Sequence, residues 1–234
     1  MLRSFAAAHS ARQAASADGR GMTQNGKRRM SLSNRATGVI VVVVATYWWA
    51  VFLSMHILEP EYSPLRAPGS AYVLGAYGTW MTTTFFVLAA ALLSSRFGLA
   101  TNLAVTVLTR MAGLAFLIAA AGVVLAGIFP MDFPPPPRTS SGRLHALGGV
   151  LTFVPWVTGT SLFSLSMRRD QRWARPSGTL FALSILSIGM AAVLPLSIRL
   201  DFAGGVQRLL LTLLFTWLIV VALHLMHSSS KETS

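Results

Sequence analysis

The chain has 234 residues and a mass of 25.1 kDa, with 53% hydrophobic and 11% charged residues, a mean hydropathy of +0.60 and a formal net charge of +12. Ordinary soluble domains carry roughly 25% charged residues, so this composition argues against a soluble single domain and, for most of the chain, against disorder. The absence of cysteine excludes disulfides, thiolate metal sites, iron–sulfur clusters and cysteine nucleophiles.

Six stretches are apolar over the length that a membrane-spanning helix needs, about 20 residues. In chain order they cover residues 37–58, 72–93, 104–129, 144–166, 177–198 and 206–226. The connections are short, so neighbouring helices are expected to run antiparallel. The predicted fold class is all-α, an integral membrane bundle of six transmembrane helices. Residues 1–36 are predicted to form a basic, disordered tail, residues 37–227 the six-helix domain, and residues 228–234 a second short tail.

The basic residues are unevenly divided between the two sides of this bundle. Fourteen of them fall on the side of the two chain ends and five on the other side. Lys and Arg concentrate in cytoplasmic connections, so both the N- and C-termini are predicted to be cytoplasmic. The excess charge indicates contact with anionic membrane lipids and leaves no folded basic surface for nucleic acid. Arg outnumbers Lys 17 to 2, which favours a GC-rich bacterial source and hence the bacterial plasma membrane.

Ionisable side chains gather at the non-cytoplasmic ends of the predicted helices. Such groups are costly at membrane depth and usually face the bundle interior. The sequence therefore predicts a polar cluster at that face, made of His56, Glu59, Asp132, His145, Asp201 and Arg208.

Several motifs in the same region resemble the DUF998 family of membrane proteins. They are the run over residues 58–65 with Ser70, Tyr72 and Gly75 after it, the run over residues 127–132 with Gly142 and His145 after it, and residues 205–208. The resemblance extends over roughly residues 37–225. It implies a multi-span membrane protein of unassigned activity.

Three interpretations of the cluster stay open. In a structural interpretation, Asp132 pairs with Arg143 or Arg208, His145 donates to a carbonyl group, and the polar groups fix the connections. In a binding or transport interpretation, a lipid or other small molecule lies between the helices and is oriented by Asp132 and Arg208. The binding candidates are His56, Glu59, Arg143, Asp201 and Arg208.

In the third interpretation the protein is a metal-dependent hydrolase or transferase acting on a lipidic substrate. His56, Asp132 and His145 are the candidate ligands of a divalent metal such as Zn²⁺, because two imidazoles and a carboxylate leave one position for water. Asp132 and His145 would be the catalytic pair, Glu59 a supporting ligand or proton carrier, and Arg208 an anion clamp. The sequence does not specify the oligomeric state, or whether residues 1–36 belong to the mature protein.

Overall fold

The computed structural model describes residues 32–133, 136 and 138–231, with side chains described as far as Ser228. These residues form helices and no strands. Six are long helices: α1 (Leu32–Leu58), α2 (Gly78–Asn102), α3 (Val107–Ile128), α4 (Ser140–Met167), α5 (Ala174–Arg199) and α6 (Ala203–Lys231). Two short 3-10 helices, Gly69–Leu74 and Gln171–Trp173, lie in the connections before α2 and α5.

The prediction of an all-α fold with six spans is confirmed, because all six long helices are long and apolar enough to cross a membrane. Their ends differ from the predicted ones. The first helix begins at Leu32, inside the stretch predicted to be a disordered tail. The second begins only at Gly78, because the 3-10 helix Gly69–Leu74 occupies the start of the predicted span. The rest of the predicted tail, residues 1–31, lies outside the described residues.

Neighbouring helices run antiparallel, as contacts between their opposite ends show. Asn34 at the start of α1 exchanges two side-chain hydrogen bonds with Asn102 at the end of α2. At the start of α4, His145 contacts the end of α3. Trp173, just before α5, stacks on His224 near the end of α6. The bundle therefore has a terminal face, with the start of α1 and the ends of α2, α4 and α6, and a distal face, with the ends of α1, α3 and α5.

Glycine permits the closest helix contact, between α3 and α4. A Cβ atom on Gly122 would lie 2.6 Å from the backbone carbon of Leu151, and one on Gly148 would lie 2.7 Å from the backbone nitrogen of Ala126. Small residues allow this approach in membrane bundles, where packing rather than water drives association. Deeper along the bundle, the Ser164 hydroxyl accepts the Trp217 indole N–H (2.8 Å) and lies 2.8 Å from the Ser184 hydroxyl, joining α4, α5 and α6.

Candidate functional site

Arg208 connects α6 to the chain between α1 and α2 at the distal face. Its guanidinium donates to the carbonyl oxygens of Ala67 (2.9 Å) and Gly204 (3.0 Å), to the Tyr72 hydroxyl (3.1 Å) and to Nε2 of His56 (3.2 Å). Among the described residues no carboxylate forms an ion pair with it. Four of its five N–H groups are therefore already bound within the protein, which leaves little capacity for the predicted role of anion clamp.

The same contact determines the protonation of His56. Arginine can only donate, so Nε2 of His56 accepts, and the ring proton lies on Nδ1, which donates to the Phe52 carbonyl oxygen at 2.9 Å. Both ring nitrogens form hydrogen bonds, and the Arg208 guanidinium lies against Nε2, the nitrogen that has a lone pair. This environment does not suit a metal ligand, for which a neutral imidazole must offer a free nitrogen.

Glu59 is buried (2% exposed) at the end of α1, and its Oε1 accepts the backbone N–H of Tyr77 at 2.6 Å. Tyr77 is the residue that precedes α2, where an anion is favoured by the unpaired N–H groups and the helix dipole. A Cβ atom on Gly75 would lie only 2.2 Å from the Glu59 carboxylate. Glu59 thus holds the start of α2, and glycine is required beside it.

Asp132 has the corresponding position at the start of α4. One carboxylate oxygen accepts the backbone N–H groups of Arg138 (2.6 Å) and Thr139 (2.7 Å), and the other accepts the Thr139 hydroxyl (2.9 Å). The hydrogen bonds from the Thr139 and Arg138 backbones lower the pKa of Asp132 below its ordinary value. The expected ion pair with Arg143 or Arg208 is not formed: Asp132 pairs with backbone groups, and Arg143 is exposed.

His145 is buried, and its Nδ1 lies 2.9 Å from the carbonyl oxygens of both Ala126 and Phe129 at the end of α3. These carbonyls accept, so Nδ1 carries the proton, as the structural interpretation expected. In the neutral ring Nε2 is then an acceptor. No hydrogen bond to Nε2 is found within the described part of the chain. His145 is therefore the predicted site residue with a ring nitrogen left for a ligand.

Asp201 lies apart from these groups. It has a φ of 59°, in the left-handed region that Asp tolerates, and forms an ion pair with Arg66 at 3.2 Å in which both side chains are about 70% exposed. The predicted cluster therefore divides into separate contacts at the ends of the helices.

The predicted metal site is wrong in its geometry. His56, Asp132 and His145 do not come together, and no group of three His, Asp or Glu side chains that could hold a metal ion occurs among residues 32–133, 136 and 138–228. His56 is bound to Arg208, and Asp132 is used by the backbone of the next helix. The catalytic pairing of Asp132 with His145 loses its basis as well, because the carboxylate faces the Thr139 backbone.

His145 lines an internal cavity of about 80 Å³, here called the His145 cavity. The wall on α4 consists of His145, Gly149, Thr152, Phe153 and Trp156, which are spaced i, i+4, i+7, i+8 and i+11 and share one helix face. Residues of α1, α2, α3 and α6 and of the 3-10 helix Gly69–Leu74 complete it. At 1.5 Å per residue, these lining residues span ~16 Å of α4.

The polar groups of the His145 cavity are few and uncharged. Gln207 accepts the Gly69 N–H through Oε1 (2.6 Å), which leaves its amide N–H groups to donate. Trp156 is fully buried, and its indole N–H has no hydrogen-bond partner within the described residues. Such an unsatisfied buried donor costs about 1–3 kcal/mol. The cavity thus offers an acceptor at His145, a donor at Gln207, and otherwise mainly apolar walls.

Trp156 and Gly149 were not among the site residues predicted from the sequence, so this part of the site was missed. The signal was present in the α4 spacing that places both on the face of His145. What the sequence could not show is that the space opposite Gly149 is empty: a Cβ atom there would have nothing within 4 Å.

The fold and this cavity define a multi-pass membrane protein with six helices, five of which line a small, largely apolar cavity. The chain belongs to the DUF998 family, described as a protein of unknown function, which matches residues 41–224. This confirms the resemblance seen in the sequence motifs. No curated protein and no solved structure matches the chain.

Proposed function

We propose that this protein binds a small neutral ligand, such as an alcohol with a short aliphatic chain, in the His145 cavity, in a bacterial plasma membrane. The observation that carries the proposal is Nε2 of His145, a buried residue of the cavity wall, which forms no hydrogen bond among the described residues. A ligand hydroxyl at that end of the cavity donates to it. Without such a donor the acceptor is left unsatisfied in a low-dielectric interior, where an unmade hydrogen bond costs most.

The shape and charge of the cavity narrow the class of ligand. No Asp, Glu, Lys or Arg lines it, so a carboxylate or phosphate would be buried there without a counter-ion, at a high desolvation cost. A hydroxyl group suits its distal end, since it donates to Nε2 of His145 and accepts from the Gln207 amide. A volume of about 80 Å³ has room for a short aliphatic chain and none for the paired chains of a phospholipid.

The alternatives of hydrolase and transporter have less support. The hydrolase needed a convergence of His56, Asp132 and His145 that is not found among the described residues. The transporter needed a free Arg208 to orient its substrate, and four N–H groups of Arg208 are bound within the protein.

Filling the cavity tests the proposal. Gly149 lines the cavity and Gly189 is exposed on α5, and at both positions a Cβ atom has nothing within 4 Å. Gly149→Leu therefore adds a side chain at the cavity wall whose Cβ atom meets no neighbour, and Gly189→Leu is its matched control. The probe is a short photo-crosslinking alcohol of about five carbons, sized to the cavity, applied to the purified full chain, with the corresponding fatty acid at pH 8 as a charged comparison.

We expect the alcohol to label cavity-lining peptides. Labelling should fall roughly tenfold in Gly149→Leu, which corresponds to a loss of about 1.4 kcal/mol of binding free energy, and should be unchanged in Gly189→Leu. The fatty acid should label these peptides less than the alcohol does. Equal labelling of wild type and Gly149→Leu contradicts the proposal. Preferential labelling by the fatty acid contradicts the neutral class of ligand.

A further inference from the structure

A second cavity, of about 370 Å³, opens at the terminal face, and we call it the Arg175 cavity. It lies between the start of α1, the end of α2, the start of α5 and the end of α6. Its volume falls within the range of small-molecule sites, about 300–1,000 Å³. Eight of its ten lining residues have polar or charged side chains, and the residues used below are Asn34, Asn102, Arg172, Arg175, His224 and His227.

The walls of this cavity are held by contacts between helices. Asn34 is buried and paired with Asn102 by hydrogen bonds of 3.0 and 2.6 Å, which join α1 to α2. On the opposite wall the ring of the buried Trp173 packs against the His224 ring in a tilted arrangement, with the ring centres 4.3 Å apart, which joins the start of α5 to α6. The cavity is therefore formed by packed elements rather than by one connection.

The charge of the cavity is positive. Arg172 and Arg175 both line it, and Arg172 forms an ion pair with Asp170 at 2.8 Å. Arg175 has no ion pair among residues 32–133, 136 and 138–228. Of the acids that the structure describes, Asp170 alone is at the terminal face, since Glu59, Glu61, Asp132 and Asp201 follow α1, α3 and α5. Within the described part of the chain, the Arg175 charge thus has no carboxylate to balance it.

We infer that the Arg175 cavity binds a phosphate-bearing anion, which Arg175 holds and the imidazoles of His224 and His227 help to surround. The planar guanidinium presents paired N–H groups that match phosphate oxygens. The cavity lies at the ends of the helices, where lipid headgroups are found, and basic pockets between membrane helices take phosphate headgroups. The phosphate is either that of an anionic lipid or a free one, and the two sources require different probes.

Calorimetric titration measures the binding of short-chain phosphatidylglycerol and, separately, of inorganic phosphate to the detergent-purified full chain. Arg175→Gln is compared with Arg169→Gln, which removes the same charge from the same connection but lies outside the cavity lining. We expect one saturable site for at least one probe, weakened roughly tenfold by Arg175→Gln and less than twofold by Arg169→Gln.

Each outcome is decisive. Saturable binding of phosphatidylglycerol alone identifies a lipid headgroup, and binding of inorganic phosphate identifies a free phosphate. Binding of neither probe overturns the inference. Equal weakening by both variants also overturns it, because net charge alone then accounts for the attraction. If Arg175→Gln does not purify as a folded protein, His227→Gln, at an exposed cavity residue, replaces it. Gly149→Leu should leave this binding unchanged, so the two cavities are tested separately.

Discussion

A single carboxylate, Asp132, holds the connection between α3 and α4 by accepting three hydrogen bonds from Arg138 and Thr139. Because its pKa is lowered in the folded state, the stability it contributes is present above the ordinary carboxyl pKa of about 3.9 and is lost as pH falls through the folded value. We expect Asp132→Asn to lower the Tm in detergent at pH 7, and the difference from wild type to shrink as the pH falls below about 4.

The matched control is Asp201→Asn, the same change in the connection between α5 and α6. Asp201 and Arg66 are both about 70% exposed, and exposed ion pairs contribute little. This variant should therefore unfold close to wild type at pH 7. Thermal unfolding followed by circular dichroism across the pH series measures both. A difference between Asp132→Asn and wild type that grows on acidification would show that the charged carboxylate is not the stabilising form.

At the same scale, the sequence identified polar residues at the distal helix ends but not their partners. Asp132, Glu59 and His145 each bond to backbone groups, and a backbone partner has no sequence signature. The presence of histidine and carboxylate side chains alone favoured a metal site. Only the three-dimensional arrangement shows that each of them forms separate hydrogen bonds within the protein. Trp156 was missed for a related reason, because an unsatisfied indole N–H cannot be told from a packed one before the neighbours are known.

At the scale of the element, the close approach of α3 and α4 depends on glycine. A Cβ atom on Gly122 would lie 2.6 and 2.7 Å from backbone atoms of Leu151 and Thr152, which cannot rotate away. We expect Gly122→Ala to destabilise the protein by about 1–3 kcal/mol, because overpacking forces the backbone to shift. Chemical unfolding from detergent micelles measures this change.

Gly189→Ala on α5 is the control for Gly122→Ala. Its Cβ atom meets nothing within 4 Å, and replacing a helical glycine by alanine stabilises a helix by about 0.5–1 kcal/mol. The two variants should therefore change the unfolding free energy in opposite directions. A neutral or stabilising Gly122→Ala would show that the two helices separate at little cost.

Hydropathy was enough to find all six helices, since a spanning segment must be apolar over about 20 residues. It did not fix their ends. The second helix starts at Gly78 because Glu59, from another helix, accepts the N–H of Tyr77. The fourth starts at Ser140 because Thr139 accepts the N–H of Gly142, while Asp132 accepts from Thr139. Both boundaries are set by polar caps, and the cap that Glu59 provides comes from 18 residues earlier in the chain. A hydropathy average reports apolar residues only, so it does not detect these caps.

At the scale of the whole molecule, the two faces of the bundle differ in charge as well as in cavities. Four of the five acids in the described residues lie at the distal face, while the unpaired Arg175 and the Arg172–Asp170 pair lie at the terminal face. The His145 cavity reaches the distal end of α4, and the Arg175 cavity opens at the terminal face. A neutral chain and a phosphate group would therefore bind at opposite ends of the same bundle.

This division of charge predicts the orientation in the membrane. Of the basic residues whose side chains the structure describes, seven lie toward the terminal face and five toward the distal face, and the sequence adds seven more before Leu32 and after Ser228. Basic connections stay in the cytoplasm. We expect an alkaline phosphatase fusion after Arg66 to be active in a bacterial host, because the enzyme folds outside the cytoplasm, and a fusion after Arg172 to be inactive. A β-galactosidase fusion at each site should give the reverse pattern. Phosphatase activity of the fusion after Arg172, without activity of the fusion after Arg66, would show that the bundle has the opposite orientation. The Arg175 cavity would then open away from the anionic inner leaflet, and free phosphate would become the better candidate for its ligand.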